Sequence, residues 1–476
     1  MNHRLSAFVI LLALGCGRPD AQESGVDILV IGGTVVTADA RNSIFDPGFL
    51  AVADGRIVGV GPLEQAKEMR AARTVQAENT LILPGLINGH QHAAMSLMRG
   101  IADDMRLMEW LHEYMFPIEA RLVDEEFVYW GTLLSAAEMI ATGTTAFADM
   151  YYFEEKAAEA VARSGMRGIL GETIIGFPSP DAATPQEALQ RARRFLREWR
   201  DHPRVTPAVA PHSPYTCSQE VLAASRDLAV EMDAPLLIHL SETQEEVDQL
   251  LQETGMRPIE YLDRIGFLSE RVIAAHVVFA SDEEIERLKG AGVGVVHNPE
   301  SNMKLASGVA PVPKMLLAGI PVGLGTDGPV SNNNLDLFQE MDSMAKLHKV
   351  FTGDPTVVSA RQAFLAATRE GARAIGMDAR IGSLETDKEA DFVILSRSEA
   401  AAHPLYDPYS AIVYALDGRG VRQVFVAGEE IYRDGNFMGF QFDQVLEQAA
   451  SIQARILQVV AEVQERAAGE FPTSQD

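Results

Sequence analysis

Cysteine and positive charge are scarce in this sequence. Of its 476 residues two are cysteines, Cys16 and Cys217, so a disulfide framework is excluded, and there is no Cys-x-x-Cys pair. The formal net charge is −27 at pH 7 with no basic stripe, so we expect no nucleic-acid partner. A Gly-x-Ser-x-Gly elbow, a His-x-Glu with Pro-Cys-x-x-Cys, and the glycine spacing of a dinucleotide site are also missing. These absences exclude the serine-hydrolase, cytidine-deaminase-type and dinucleotide-binding classes.

Long apolar runs are scarce too, and the clearest one lies at the N-terminus. Residues 5–15 follow Arg4 and are too few to span a bilayer as a mature helix. The run ends in Ala13-Leu14-Gly15-Cys16, which resembles a bacterial lipoprotein processing site. This pattern predicts that residues 1–24 are a signal peptide and polar tether, and that Cys16 is lipidated. The protein is then exported and anchored to a periplasmic membrane surface. The alternative is a wrongly assigned start codon on a cytoplasmic protein.

The rest of the chain divides into a long central region flanked by two β-rich ends. Short apolar or alternating runs at residues 25–80 and 381–438 predict one small β-sandwich built from both termini. Between them, at residues 81–380, eight apolar runs alternate with helical patterns, which predicts an α/β fold with a closed TIM-like (β/α)8 barrel. A doubly wound open sheet is the alternative, and residues 439–476 are predicted to form a helix and tail. The eight predicted barrel strands are residues 80–83, 144–148, 168–171, 205–210, 235–240, 272–275, 292–296 and 321–324.

Residue types that bind metals cluster at the ends of these predicted strands, where the chemistry of such barrels lies. His90 and His92 end the first strand, and residues two apart in an extended chain face the same side, so both imidazoles can aim at one ion. Six of the 11 histidines lie at the strand ends. A shared metal explains them better than packing, because it partners several buried polar groups at once. The remaining strand-end residues are His212, His239 with Glu242, His276, His297 and Asp327.

With these motifs the sequence resembles the amidohydrolase superfamily. More narrowly, it is similar to the 5-methylthioadenosine/S-adenosylhomocysteine deaminases and their ring-hydrolysing relatives, including chlorohydrolases. The resemblance runs from about Asp27 to Gly435 and implies that a metal-activated hydroxide removes ammonia from an adenine nucleoside. The motifs that carry it are PGLINGHQH at 84–92, Trp110-Leu111 with Pro117-Ile118-Glu119, APHSPY at 210–215, HLSE at 239–242, His276, HNPESNMKL at 297–305 and GTDG at 325–328.

The resemblance implies a mononuclear metal centre. One divalent ion would be held by His90, His92, His239 and Asp327. Dinuclear relatives carry a bridging lysine at strand four, where this sequence reads APH at 210–212. Zn²⁺ suits imidazole and carboxylate ligands, and Fe²⁺ is the alternative.

The resemblance also implies the acid–base residues. Asp327 and His276 would orient the hydroxide, while Glu242 would take a proton from the water and pass it to the ring nitrogen and the departing ammonia. The alternative for Glu242 is a solvated acidic residue at a helix start, since Glu245 and Glu246 follow it. A core histidine is the alternative for His276.

Substrate contacts follow from the same resemblance. Glu119 would bind the ribose hydroxyls and His212 would contact the nucleoside, with a surface ion pair to Arg121 as the alternative for Glu119. Trp110 would pack on the purine or belong to the core. Relatives that accept S-adenosylhomocysteine use arginines for its carboxylate, but the matching position here is Glu172. Because like charges repel, we expect methylthioadenosine or adenosine in preference to S-adenosylhomocysteine.

Two other functions stay open on the sequence alone. The ring attacked could instead be guanine, a pterin or a triazine, with chloride as the leaving group in the last case. A protein of a different class, a catalytically silent lipid-anchored binding protein, would keep the same fold. We also expect a small aminopurine-type molecule as the partner and a homo-oligomeric assembly.

Overall fold

The computed structural model describes residues 25–101 and 103–470, with side chains up to residue 463. The predicted signal and tether, the lipidation candidate Cys16 and the end of the predicted tail lie outside the described residues. In the described part of the chain, no helix combines the length and the apolar character needed to cross a membrane.

Strands and helices alternate along most of the described chain. A π-helical turn, Trp110–Met115, joins the first two α-helices. The strands are β1 (Ile28–Ile31), β2 (Thr34–Val36), β3 (Ile44–Phe45), β4 (Gly48–Ala53), β5 (Arg56–Pro62), β6 (Arg73–Gln76), β7 (Thr80–Pro84), β8 (Leu86–Gln91), β9 (Thr144–Tyr151), β10 (Arg167–Ile174), β11 (Val205–Pro211), β12 (Leu236–Leu240), β13 (Val272–His276), β14 (Gly294–His297), β15 (Val322–Leu324), β16 (Phe392–Ser396), β17 (Val421–Val426), β18 (Glu429–Arg433) and β19 (Asn436–Phe437). The α-helices are α1 (Leu107–Glu109), α2 (Phe116–Leu122), α3 (Glu125–Ala141), α4 (Glu154–Ser164), α5 (Pro185–Trp199), α6 (Gln219–Met232), α7 (Gln244–Thr254), α8 (Pro258–Arg264), α9 (Asp282–Ala291), α10 (Pro299–Lys304), α11 (Val312–Ala318), α12 (Leu337–Thr352), α13 (Ala360–Ala366), α14 (Arg369–Ala374), α15 (Pro408–Tyr414) and α16 (Phe442–Glu470).

Strands from both ends of the chain form a small domain of two packed sheets. One sheet has the order β5-β4-β1-β6 and the other the order β19-β18-β17-β16-β7-β2-β3. The second sheet joins N-terminal and C-terminal strands, so neither end completes it alone. Apolar side chains of both sheets, among them Val30, Leu50, Ile82 and Phe392, fill the space between them. The small β-domain predicted from both termini is confirmed.

The central region forms a barrel of eight parallel strands, ordered β8 to β15 along the sheet. These strands are buried on both faces, which is why seven of them, β9 to β15, were recognised as short apolar runs. The first and last strands are linked where the Asp327 N–H donates to the His90 carbonyl at 3.0 Å. The TIM-like barrel is confirmed, and the open-sheet alternative is excluded. Because the strands run parallel, their C-terminal ends share one mouth.

The prediction of the first barrel strand was wrong. Residues 80–83 belong to β7, which pairs with β2 and β16 in the small domain, and the barrel begins with β8. Between β7 and β8 lies Gly85, where an added Cβ would be 2.0 Å from Thr145 Oγ1. The apolar run lies in β7, whereas β8 reads LINGHQ and is buried without being apolar, so hydrophobicity marks the strand of the small domain and not the barrel strand. The predicted domain boundary at residue 81 therefore falls inside β7.

A buried ion pair fixes the small domain against the barrel. Arg167 on β10 donates to Asp391 Oδ2 at 2.6 Å and to Oδ1 at 2.9 Å. The Ala427 N–H donates to the same carboxylate at 2.7 Å. The Arg167 residue is 1% exposed, so the pair is shielded from water and each charge depends on the other. This contact holds the strand ends of the barrel in a fixed relation to the small domain.

Candidate active site

Three histidines and one aspartate meet at the mouth of the barrel. His90 lies on β8, His92 follows it, His239 lies on β12 and Asp327 follows β15. The Nε2 atoms of His92 and His239 are 3.2 Å apart. Asp327 Oδ1 lies 3.4 Å from Nε2 of His90 and 3.3 Å from Nε2 of His92. The four side chains predicted to bind a metal thus share one small volume, although they come from three distant stretches of sequence.

Hydrogen bonds to backbone carbonyls place a proton on Nδ1 of His92 and of His239, the ring nitrogen that faces away from the cluster. His92 Nδ1 donates to the Met150 carbonyl at 2.7 Å, and His239 Nδ1 donates to the His212 carbonyl at 2.8 Å. A carbonyl only accepts, so each ring carries a proton on Nδ1 and turns Nε2 inward as the nitrogen that would bind a metal. His90 Nε2 is buried and has no hydrogen-bond partner among the described residues. Bare imidazole nitrogens beside a carboxylate oxygen fit a divalent metal such as zinc.

Glu242 and His276 lie beside this cluster. Glu242 Oε2 is 3.7 Å from His276 Nε2, and Ser307 Oγ is 3.4 Å from Glu242 Oε1. Glu242 is 7% exposed, so it is not the solvated first-turn residue that the sequence allowed; Glu245, in the first turn of α7, is exposed. Burial raises the pKa of the Glu242 carboxyl. A buried carboxyl whose pKa is raised toward neutrality is suited to proton transfer.

A cavity adjoins the cluster. His92, His239, Asp327, Glu242 and His276 all line it, so the metal-ligand candidates and the acid–base candidates face one space. The rest of the wall is mostly aromatic and aliphatic, which suits a flat, largely apolar ring. These wall residues are Met95, Leu107, Trp110, Leu111, Met115, Phe116, Met150, Tyr152 and Leu305.

Glu119 lies in the cavity wall, where substrate contacts were predicted. Its Oε1 accepts a hydrogen bond from Tyr151 Oη at 2.7 Å, and burial raises the pKa of its carboxyl to about 7. The alternative ion pair with Arg121 is not formed, because that guanidinium binds Glu462 of α16. Glu119 therefore offers a buried carboxylate oxygen to the cavity.

His212 and Trp110 also reach the cavity. His212 Nδ1 lies 3.1 Å from Thr216 Oγ1, and burial lowers the pKa of the imidazole to about 3, so the ring is neutral. Trp110 is 5% exposed and lies in the π-helical turn, where its Nε1 has no hydrogen-bond partner among the described residues. Both side chains line the cavity.

Glu172 does not face the cavity, and the argument drawn from it was wrong. Its carboxylate is fully buried and accepts a hydrogen bond from Arg191 Nε at 2.9 Å. Arg191 also pairs with Glu155 and Asp181, so it is not part of a solvated helix face. The carboxylate of Glu172 is neutralised where it stands and repels no substrate group directly.

Several side chains of the site gave no recognisable signal of their own in the sequence. Tyr151 follows the apolar run of β9 without any motif, yet it binds Glu119. Ser301, Asn302 and Ser331 bind predicted catalytic side chains, and the first two lie inside a motif whose individual roles the sequence did not resolve. His297 turns away from the cluster, with its Nε2 atom 3.2 Å from Nε2 of His348.

Comparison with known proteins gives the class to which this fold and site belong. The model of the amidohydrolase family matches residues 81–431 of this chain. The chain belongs to the amidohydrolase family, as its barrel, terminal β-domain and strand-end histidines indicate.

Individual relatives cover nearly the whole chain. A 5-methylthioadenosine/S-adenosylhomocysteine deaminase of Syntrophobacter fumaroxidans is 46% identical over 430 residues, 90% of this chain and 98% of its own length. A similarly named protein of Syntrophus aciditrophicus is 47% identical over 438 residues, 92% of this chain and 99% of its own length. Among solved structures, an adenosine deaminase from Xanthomonas campestris with bound zinc has a TM-score of 0.89 and 37% identity, covering 91% of this chain and 99% of its own. A zinc-bound atrazine chlorohydrolase from Arthrobacter aurescens has a TM-score of 0.82 at 23% identity, which shows a shared fold.

The site predicts a single tightly held metal. The protein purified without chelator should contain about one divalent ion per chain. His92→Ala or His239→Ala should lower that content at least tenfold, because each removes a nitrogen that would bind the metal. Elemental analysis of the purified proteins measures this. The matched control is His403→Ala, which removes an exposed imidazole of the terminal region. Full metal content in both site variants would contradict the assignment.

Proposed function

We propose that the protein is a metal-dependent aminohydrolase that removes ammonia from an adenine nucleoside of the methylthioadenosine or adenosine type. The names of its relatives at 46% and 47% identity support the substrate class. The observation that carries the proposal is the buried carboxyl of Glu242 beside the metal-ligand cluster, in a cavity walled by aromatic and aliphatic side chains. The cofactor is one divalent metal, zinc in the first place and iron as the alternative, held by His90, His92, His239 and Asp327.

The reaction replaces a ring amino group by oxygen, so protons must move from water to the departing ammonia. When bound, the metal supplies the Lewis acidity that makes hydroxide available near neutral pH. Glu242 accepts one proton from water and delivers it to the ring nitrogen. It then takes the remaining proton of the added hydroxyl group and delivers it to the amino group, which leaves as ammonia. A single carboxyl can do both because burial raises its pKa, so it holds a proton more readily than an exposed carboxyl does. His276, whose Nε2 faces Glu242, orients the attacking hydroxide together with Asp327.

The sugar end of the substrate is recognised by Glu119. Tyr151 occupies one oxygen of this carboxylate, which leaves the other oxygen for the ribose hydroxyls. His212 is neutral and offers a ring nitrogen without carrying a charge. Paired hydroxyls on a carboxylate give a specific, charge-assisted contact in a site that excludes most water.

The 5′ substituent is expected to be small and uncharged. Within the described residues, the cavity lining contains no lysine or arginine. A substrate carboxylate would therefore enter an apolar wall without a counter-charge, which is unfavourable. This replaces the argument from Glu172 and leads to the same preference for methylthioadenosine or adenosine over S-adenosylhomocysteine.

The protein is proposed to work outside the cytoplasm. The apolar run at 5–15 and the Ala13-Leu14-Gly15-Cys16 sequence support processing and lipidation at Cys16. A lipidated first residue followed by a polar tether would hold the enzyme at a membrane surface while its barrel stays in water.

Glu242→Gln should abolish turnover without loss of metal. Loss of the carboxyl removes proton transfer, which is worth about 10²- to 10⁴-fold in rate. Ammonia release should be assayed on adenosine, methylthioadenosine, S-adenosylhomocysteine, guanine and a pterin, and chloride release on a chlorotriazine, with metal content measured on the same samples. Glu245→Gln, an exposed carboxylate three residues along, is the matched control. Near-normal turnover in Glu242→Gln, or a wild-type preference for guanine, pterin or triazine, would overturn the proposal; a metal-loaded wild type inert on all six would indicate a binding protein.

Glu119→Gln should raise KM for adenosine about tenfold or more, because a hydrogen bond to a charged group is worth roughly 1.5–3 kcal/mol. The effect should vanish with 2′,3′-dideoxyadenosine, which lacks the hydroxyls. Steady-state kinetics of the wild type and of Glu119→Gln, each on adenosine and on 2′,3′-dideoxyadenosine, measures this. The control is Glu113→Gln, which lies in the π-helical turn just before α2 and outside the cavity lining. An equal loss on both nucleosides would remove Glu119 from ribose recognition.

The localisation proposal is tested by lipid labelling. In a bacterial host the wild-type chain should incorporate a labelled fatty acid and partition into detergent, whereas Cys16→Ser should do neither. Cys217→Ser should behave as wild type, because that thiol is buried and donates to the Ile174 carbonyl. An unlabelled wild-type chain recovered from the cytoplasm would favour the alternative start codon.

A further inference from the structure

The short helix α10 (Pro299–Lys304) carries two adjacent side chains that contact two different residues of the site. Ser301 binds Asp327, and Asn302 binds His276. Both side chains are fully buried. Consecutive residues on one helix turn therefore touch both the metal-ligand carboxylate and the histidine beside Glu242.

Ser301 determines which oxygen of Asp327 turns toward the histidines. Its Oγ donates to Asp327 Oδ2 at 2.7 Å, and Ser331 Oγ donates to the same oxygen at 2.9 Å. The other oxygen, Oδ1, accepts the Gly328 N–H at 2.7 Å and is the one that lies 3.3–3.4 Å from Nε2 of the two strand-one histidines. Two hydroxyl donors hold Oδ2 away from the cluster, so the carboxylate cannot rotate without breaking them.

Asn302 determines which nitrogen of His276 faces Glu242. Its Oδ1 lies 2.9 Å from His276 Nδ1, and the amide nitrogen of Asn298 is 3.3 Å from the same atom. The shorter contact is to a carbonyl oxygen, which only accepts, so Nδ1 carries the proton. The opposite atom, Nε2, is then a bare acceptor turned toward Glu242. A ring turned or protonated the other way would present a donor there instead.

Helix α10 is itself anchored at both flanks. Lys304 Nζ donates to Asp103 Oδ1 and Asn333 Oδ1, each at 2.6 Å, and to the Val330 carbonyl at 2.9 Å. Glu300 accepts from Asn334 and Ser343, each at 2.8 Å. The helix is thus tied to the loops after β8 and β15, and small shifts would disturb several bonds at once.

We infer that Ser301 and Asn302 are positioning residues: Ser301, with Ser331, aims Asp327 Oδ1 at the metal cluster, and Asn302 holds His276 Nε2 as an acceptor beside Glu242. The Asn302 role rests on the proposed function. The Ser301 role concerns metal retention and is independent of the substrate.

The Ser301 role is tested on metal affinity without any substrate. Ser301→Ala and Ser331→Ala should each weaken metal retention in a chelator competition, and the double variant should reach about 10- to 100-fold. Ser301→Cys, which keeps the size but is a poor donor, should resemble Ser301→Ala. The control is Ser225→Ala, a buried hydroxyl that donates to the Val221 carbonyl of α6. Wild-type affinity in the double variant would overturn the role, as would a loss matched by Ser225→Ala.

The Asn302 role is tested by kcat at full metal occupancy. Asn302→Leu should lower kcat about tenfold or more with metal content and KM little changed. Asn302→Asp should recover most of the rate, since its carboxylate still accepts the Nδ1 proton. Should Asn302→Leu not fold, Asn302→Ser, whose side chain is too short to reach, takes its place. Normal kcat in Leu or Ser, or a loss that Asp does not relieve, would overturn the role. If wild type binds metal but releases no ammonia, the proposed function fails, whereas the Ser301 result stands on its own.

Discussion

The structure depends on three imidazole rings and one carboxylate oxygen turned into the same buried space. Lone pairs left without partners in the interior are costly, because they have given up water and received nothing in exchange. Here His92 and His239 each donate a hydrogen bond from Nδ1 to a backbone carbonyl that lies outside the cluster. A bound cation would partner these atoms. The same hydrogen bonds that place a proton on Nδ1 therefore also turn Nε2 of each ring toward the metal position.

The parallel barrel is what makes this arrangement readable from the sequence. A strand-end residue in such a barrel has one destination, so His90, His239 and Asp327 could be placed together as soon as eight apolar runs were recognised. Glu242 follows by the same logic, since it lies three residues beyond His239 at the end of β12. The error at β7 and β8 shows the limit. Periodicity identifies buried apolar strands but does not say which sheet buries them. It picks out β7 of the small domain and misses β8, the more polar barrel strand that follows Gly85.

Orientation, in contrast, could not be predicted. Ser301 and Ser331 are 30 residues apart, and only folding brings both hydroxyls to one oxygen of Asp327. Tyr151 on β9 donates a hydrogen bond to Glu119 on α2, and no sequence motif links the two residues. Glu172 shows the opposite case: a charge assigned to the cavity by position along the chain is buried against Arg191 instead. Rotamers and ion-pair choices of this kind depend on packing between elements, which a single sequence does not express.

The site therefore separates two kinds of constraint. The metal cluster and its supporting serines lie on strand ends and on the anchored helix α10, which are rigid elements. The substrate wall lies largely on the segment from α1 through the π-helical turn to α2, which packs against the C-terminal helix α16. Strand-end ligands fix the chemistry of hydrolysis, whereas side chains such as Trp110, Met115 and Phe116 fix which ring and which substituent fit above it. A shared barrel therefore does not determine which molecule binds, because the side chains of the wall can differ while the strand ends keep their places.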